Sequence, residues 1–238
     1  MNPTVEQLAE NRLRVLAQIE ASCVKAGRSP ESVKLVAVSK TWPAQAIANA
    51  TAAGLRVFGE NYIQEAVAKL AELEGALPEG TEFHYIGHLQ RNKARQAVGP
   101  FALLHSVDSL RLVETLDRLG RETGKPVSVL LEVNLAGEET KQGFEPEELR
   151  VLAPSLAHLE GVHCLGLMTM APFVADPEIV RPVFSACRRL LEELAPFWGT
   201  QFTELSMGMS QDYQVAIEEG ATLVRVGTAL FGQRDYAH

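Results

Sequence analysis

Eight short apolar, β-branched runs constrain this chain more than any other feature. They fall at 34–38, 55–58, 83–86, 102–105, 127–133, 162–167, 203–205 and 223–226. Helical stretches separate them, among them 108–121 with Asp108 as the expected N-cap, 145–157, 176–194 and 210–218. Strands that alternate with helices are covered on both faces, which favours a parallel sheet. Eight such units within about 200 residues predict an α/β fold of the closed TIM type, a single (β/α)8 barrel. An open doubly wound sheet is the alternative. Residues 1–26 add an extra N-terminal helix packed on the barrel. Thr4 and Gln7 have the spacing of a capping box, and Leu8, Val15, Leu16, Ile19 and Cys23 recur at the helical period before Gly27.

The chain has 238 residues, of which 46% are hydrophobic, enough for a sizeable core. No linker, low-complexity tract or shift in composition divides it, so 1–238 reads as one domain. Twenty-two Lys and Arg stand against 30 Asp and Glu, a formal charge of -8. That balance repels a phosphate backbone and argues against nucleic acid as a partner. The one basic cluster, Arg91, Lys93 and Arg95, reads as the solvated face of a helix. Cys23, Cys164 and Cys187 are widely spaced, with no CxxC pair. This is neither a disulfide framework nor a zinc site, and it suits a reducing compartment. The first residues lack the basic start and apolar core of a signal peptide. No run approaches the ~18 apolar residues of a membrane span. The expected location is the cytoplasm.

In a barrel, chemistry collects where the strands end. The first run leads into Ser39-Lys40-Thr41, so Lys40 sits just past an apolar strand. Desolvation there would favour the neutral amine that Schiff-base chemistry needs; a lysine snorkelling to solvent is the plainer reading. The last run holds Arg225 between apolar residues. A buried arginine demands an acceptor, either a structural carboxylate or a ligand atom in the barrel mouth. Gly227 and Thr228 follow as a glycine turn into a short helix, able to hold a phosphate. Residues 206–210 (SMGMS), read as the loop after the seventh strand, have the same character. Ser210 would serve equally as a helix N-cap. A phosphate site from the loops after strands seven and eight recurs in this fold.

Lysine, arginine and phosphate cradle together describe a phosphorylated aldehyde held as a Schiff base. The motifs KLVAVSKTWP, FGENYIQEA, HYIGHLQRNKA, LLEVNLAGEETKQGF, GLMTM and LSMGMSQDYQVAIEEGATLVRVGTALFGQRDY span 34–236. With them the chain closely resembles the pyridoxal phosphate homeostasis protein family, whose barrel is that of pyridoxal phosphate fold type III, the alanine racemase-like class. The resemblance implies pyridoxal 5'-phosphate as cofactor and Lys40 as the lysine that binds it. It places Arg225 against the pyridine nitrogen, and Ser206, Gly227 and Thr228 at phosphate-binding positions, with Ser210 and the Met207 backbone beside them. Asn61, after the second strand, would face the cofactor ring; a helix N-cap or turn is its alternative role.

Arginine donates a hydrogen bond without surrendering its proton, so it would leave the ring nitrogen unprotonated and the cofactor weakly activated. The racemases of this class carry a further β domain that supplies a tyrosine base, and the sequence holds no such segment. The expectation is therefore a non-enzymatic carrier in vitamin B6 homeostasis, a monomer that passes the cofactor to apoenzymes. A weak amino-acid racemase or transaminase is the alternative, and a Schiff-base aldolase acting on a sugar phosphate is a third reading. Tyr62 and Tyr85 read as packing residues. His84 and His88 have a metal-like spacing, but Gly87 lies between them and argues against one helix face. Glu138, Glu139 and Lys141 read as a charged loop, Met168 and Met170 as soft packing residues, and Gln90, Asn92 and Lys93 belong to a motif without a derived role.

Overall fold

A computed structural model describes residues 2–136 and 142–233. Glu138, Glu139 and Lys141 lie outside the described residues. The chain runs α1 (Val5–Lys25), β1 (Lys34–Val38), α2 (Ala44–Ala52), β2 (Val57–Glu60), α3 (Ile63–Glu72), β3 (Glu82–Tyr85), α4 (Ala94–Ala97), β4 (Leu103–Val107) and α5 (Leu110–Thr123). It continues through β5 (Val127–Glu132), α6 (Pro146–Leu156), β6 (Val162–Met168), α7 (Arg181–Trp198), β7 (Glu204–Met209), α8 (Tyr213–Glu218), β8 (Leu223–Val226) and α9 (Thr228–Phe231).

The eight strands close into a barrel in sequence order. The seam is parallel, with Lys34 opposite Leu223 and Ala37 opposite Val226. This is the expected (β/α)8 fold. Alternation along each strand divides the core in two. Outward residues such as Phe58, Phe83, Leu104 and Val224 join the helices in one large cluster. Val36, Leu103, Leu130, Met168 and Leu223 form a small one inside. Inward positions of such a barrel are usually branched and apolar; here His84, His105, Ser206 and Arg225 are also buried. The three cysteines are free and buried. Among the described residues no helix is long and apolar enough to cross a membrane.

The N-terminal helix forms as its sequence predicts. Thr4 Oγ1 accepts from Gln7 N at 3.3 Å and Gln7 Oε1 accepts from Thr4 N at 2.9 Å, closing the capping box. Leu8, Val15, Ile19 and Cys23 are buried, and burial of each large aliphatic side chain contributes roughly 1.5–3 kcal/mol. Asn11 Nδ2 donates to Leu230 O at 2.6 Å, and Arg28 donates to Ile217 O at 2.7 Å, tying this segment to α8 and α9.

Several boundaries differ from the sequence reading, most by a residue or two. The second strand lies at Val57–Glu60 instead of 55–58; Leu55 is spent on a turn whose amide donates to Ala50 O. The seventh strand extends to Met209, so Ser206 and Met207 belong to the strand and not to the loop after it. The cause is a bulge: Ser206 pairs with Leu223 but Met209 with Arg225, three steps against two, with Gly208 at φ +89° taking up the extra residue. A glycine between small residues reads as loop when it is a bulge. The helix after it starts at Tyr213, not Ser210. Asp212 Oδ1 accepts from Met209 N at 2.6 Å there, so Ser210 is not its N-cap. Likewise α5 takes Ser109 as N-cap, and Asp108 instead faces His88 Nδ1 at 3.1 Å.

Candidate functional site

A cavity of about 460 Å³ opens at the C-terminal ends of β1, β2, β7 and β8. Its wall is largely apolar, with Val38, Ile86, Met170, Phe173 and Met209, and its polar lining includes Lys40, Asn61, Ser210, Arg225 and Thr228. Strand-end reasoning placed Lys40, Ser210, Arg225 and Thr228 near the mouth and the family resemblance added Asn61; the fold brings all five to one space. Met168, by contrast, is buried in the inner core and only Met170 reaches the rim. A second cavity of about 450 Å³ lies beside the first, sharing Asn61 and lined further by His88, Gln90 and Lys93.

Lys40 stands two residues beyond β1 and is exposed, so the desolvation expected of it is absent. Its position is set by backbone strain. Thr41 has φ +63°, the one non-glycine positive φ among the described residues, a conformation that costs of order 1–3 kcal/mol and persists only where surroundings enforce it. They do so through charge. Thr41 N donates to Glu65 Oε1 at 2.5 Å. Lys69 Nζ lies 2.6 Å from Glu65 and 2.9 Å from Glu60, and donates to Ser39 O at 2.9 Å. Ser39 Oγ donates to Glu60 Oε1 at 2.6 Å. Glu60 is fully buried and Lys69 nearly so. Burial pushes the Glu60 carboxyl up, and Lys69 and Ser39 pull it back.

Arg225 is held differently. Nη1 donates to Ser206 Oγ at 2.5 Å and Nη2 to Thr169 O at 3.2 Å. Its direct partners among the described residues are thus a hydroxyl and a carbonyl, and the structural carboxylate considered from sequence is not one of them. Burial draws its pKa down to about 10, opposed at longer range by Glu132 and Asp212, so it stays cationic at neutral pH. Glu132 is itself buried at the end of β5. Burial, with Asp108 adding to it, pushes its carboxyl up to about 7 against the pull of Arg225.

The remaining predicted residues divide between the cavity and the barrel interior. Gly227 N donates to Ser210 Oγ at 3.2 Å, joining the loops after β7 and β8, with Thr228 beside them. Ser206 and Met207 are fully buried and do not line the cavity. The Ser206 hydroxyl is engaged by Arg225 and by His105 Nδ1 at 2.8 Å. Asn61 follows β2 directly and is no N-cap, since α3 takes Tyr62 there. Tyr85 OH donates to Asn61 O and to His88 O, both at 3.1 Å. Gly87 packs so closely that a Cβ would lie 2.2 Å from Asn61 O. Tyr85 therefore does more than pack. His84 points inward and His88 toward Asp108, so they share no metal-binding face; the described residues contain no cluster suited to a metal.

The sequence reading missed Glu60, Glu65 and Lys69. The available signal was a lysine on the buried stripe of α3 with Ile63 and Ala66, masked by an i,i+4 Glu-Lys spacing that normally marks a solvated helix face.

A barrel of this order with a lysine after β1 and an arginine in β8 defines a class, and residues 16–235 match the family model described as alanine racemase, N-terminal domain. The alanine racemase of Corynebacterium glutamicum superposes with a TM-score of 0.71 at 19% identity, over 98% of this chain and 63% of that one, a likeness of fold. Much nearer is the pyridoxal phosphate homeostasis protein of Aquifex aeolicus (strain VF5), 43% identical over 227 residues, 95% of this chain and 98% of the relative. That of Pseudomonas aeruginosa is 44% identical, over 96% of both. PipY of Synechococcus elongatus PCC7942, solved with pyridoxal phosphate bound, is 43% identical with a TM-score of 0.84, covering 94% of this chain and all of that one. The chain belongs to the pyridoxal phosphate homeostasis protein family.

Proposed function

We propose that this protein is a carrier of pyridoxal 5'-phosphate, holding it through Lys40 in the cavity over β1 and β8 and serving intracellular vitamin B6 homeostasis without turning over amino acids. The observation that carries this reading is the convergence of Lys40, Arg225, Ser210 and Thr228 on one cavity. Those groups fit the cofactor: an amine for its aldehyde, a permanent donor for a ring nitrogen, and neutral hydroxyls at a glycine turn for its phosphate. When bound, the cofactor supplies an aldehyde that a primary amine captures as a Schiff base with loss of water, and hydrolysis returns both.

The chain's own residues favour holding over activation. Lys40 is exposed, open to the water or free amine that would release the cargo. Arg225 donates a hydrogen bond but no proton, so it anchors an acceptor without making it an electron sink. None of the described lining residues is a tyrosine or histidine. The one carboxylate among those described residues, Asp212, accepts from Met209 N at 2.6 Å. A racemase would need a second base opposite Lys40. In our reading residues 1–238 form one domain that acts as a cytoplasmic monomer and delivers the cofactor to apoenzymes. Ser210, Gly227 and Thr228 hold the phosphate, Asn61 faces the ring, and Ser206 acts through Arg225.

Titration with pyridoxal phosphate followed by visible absorbance tests this. The wild type is expected to gain a saturable Schiff-base band that Lys40→Ala lacks, and to leave L-alanine unracemised beyond the rate of free cofactor. An unchanged band in the variant would remove Lys40 from the account; racemisation well above the free cofactor would replace carrier with enzyme.

A further inference from the structure

The proposed function uses Arg225 but not the polar groups stacked beneath it inside the barrel. From Ser206 Oγ the contacts continue to His105 Nδ1 at 2.8 Å, and from His105 Nε2 to His84 Nδ1 at 3.0 Å. His84 Nε2 then faces Glu82 Oε2 at 3.5 Å, and Lys34 Nζ lies 3.4 Å from the same oxygen. Ser206 and His105 are fully buried, and His84 is 2% exposed. Glu82 opens β3 and Lys34 opens β1, so the far end of this series lies on the rim opposite the cavity. Burial holds both imidazoles neutral, His84 drawn down to about 4 and His105 well below the usual histidine range.

Neutrality gives the series a direction. A neutral imidazole has one donor nitrogen and one acceptor nitrogen. At the rim a carboxylate can only accept, so His84 Nε2 carries the proton and His84 Nδ1 accepts. His105 Nε2 must then donate, which leaves His105 Nδ1 as an acceptor. The Ser206 hydroxyl donates to it and turns a lone pair toward Arg225 Nη1. The opposite tautomers would point an imidazole lone pair at the Glu82 carboxylate and free the Ser206 proton to oppose a guanidinium that can only donate. Every hydrogen bond therefore runs from Arg225 toward His84, whose Nε2–H is aimed at the Glu82 carboxylate 3.5 Å away.

Resting on the reading of Arg225 as the residue at the cofactor ring, we propose that Glu82, His84 and His105 are positioning residues: a one-way chain of hydrogen bonds through the barrel interior that fixes the Arg225 guanidinium and couples it to the Glu82–Lys34 pair on the opposite rim. The arrangement also accounts for polar residues where apolar ones are usual. A buried polar group costs free energy unless bonded, and here Ser206, His105 and His84 each have partners within the series.

Nitrogen-15 NMR of the imidazoles in the cofactor-free protein is the first test, since it does not depend on cofactor binding. Both rings are expected as neutral Nε2–H tautomers at neutral pH; an Nδ1–H tautomer or a cationic ring at either position would overturn the chain. Glu82 is 42% exposed at its side chain, so its replacement spares the core. Glu82→Ala should mix the tautomers of both rings and speed release of bound pyridoxal phosphate by about threefold to tenfold. Glu82→Gln, which keeps an acceptor, should restore both. If Glu82→Ala leaves tautomers and release as in the wild type, the coupling is refuted. If the wild type binds no pyridoxal phosphate, the carrier reading fails while the tautomers still decide the chain.

Discussion

Two buried polar networks support the same cavity and are built in opposite ways. Under Lys40, outside the strand wall, full charges meet: Glu60, Lys69 and Glu65 hold a strained turn. Under Arg225, inside the barrel, the partners are neutral: a hydroxyl, a carbonyl and two imidazoles. The difference follows from what each presents. Lys40 is exposed and needs its backbone fixed, so the charges around it are spent on the chain and not on the amine. Arg225 is itself the charge, and neutral partners orient it without cancelling it. A carboxylate in direct contact would satisfy the guanidinium and leave less of its field for a ligand.

Breaking the ionic network should have the largest effect. Lys69→Met leaves the Glu60 carboxylate buried without its partner, and removing one member of a buried pair typically costs about 3–5 kcal/mol. Chemical denaturation of the single variant and of Glu60→Gln/Lys69→Met measures it, and the double variant should recover much of the loss. Recovery by the double variant would identify unpaired charge, rather than lost packing, as the cause.

The interior charge sharpens the comparison through pH. The folded-state pKa of Glu132 is about 7 against an ordinary 4.5, so between those values the native protein holds a proton that the unfolded chain releases. Stability from this group is present at low pH and falls as pH rises through that window, by roughly 3 kcal/mol at most. His84 and His105 act in the reverse sense: the unfolded chain binds their protons first, so their contribution is lost as pH falls below about 6.5, through about 4 for His84 and with His105 also held well below the ordinary value by burial. Glu132→Gln removes only the first effect. The stability difference between variant and wild type, from denaturation at pH 5 and pH 8, should shift in favour of the variant at the higher pH.

The neutral chain should show the smallest loss. His105→Leu stays close to the imidazole in volume but strands the Ser206 proton and His84 Nδ1, a cost of about 1–3 kcal/mol by thermal or urea unfolding. A loss as large as that of Lys69→Met would mean the two networks are not different in kind.

What was legible in the sequence follows the same division. Strand ends and the barrel rule led to Lys40, Ser210, Arg225 and Thr228, because each follows an apolar run or lies inside one; Asn61 came only from the family resemblance. The supporting networks were hidden. Lys69 looks like a surface charge until the buried face of α3 is known. His84 invites comparison with His88, four residues away, whereas its partner is His105 on the neighbouring strand, a pairing that only register reveals. Ser206 was displaced into a loop by the bulge at Gly208. Periodicity reports which way a strand faces, but not which two inward residues meet across the barrel.

Borohydride reduction of the protein with pyridoxal phosphate, followed by peptide mapping, tests the central claim most directly. The account predicts one reduced adduct, on the peptide carrying Lys40, with none at Lys69, whose amine is buried among carboxylates. An adduct on Lys93 in the neighbouring cavity, or label spread over surface lysines with Lys40 unmodified, would contradict it.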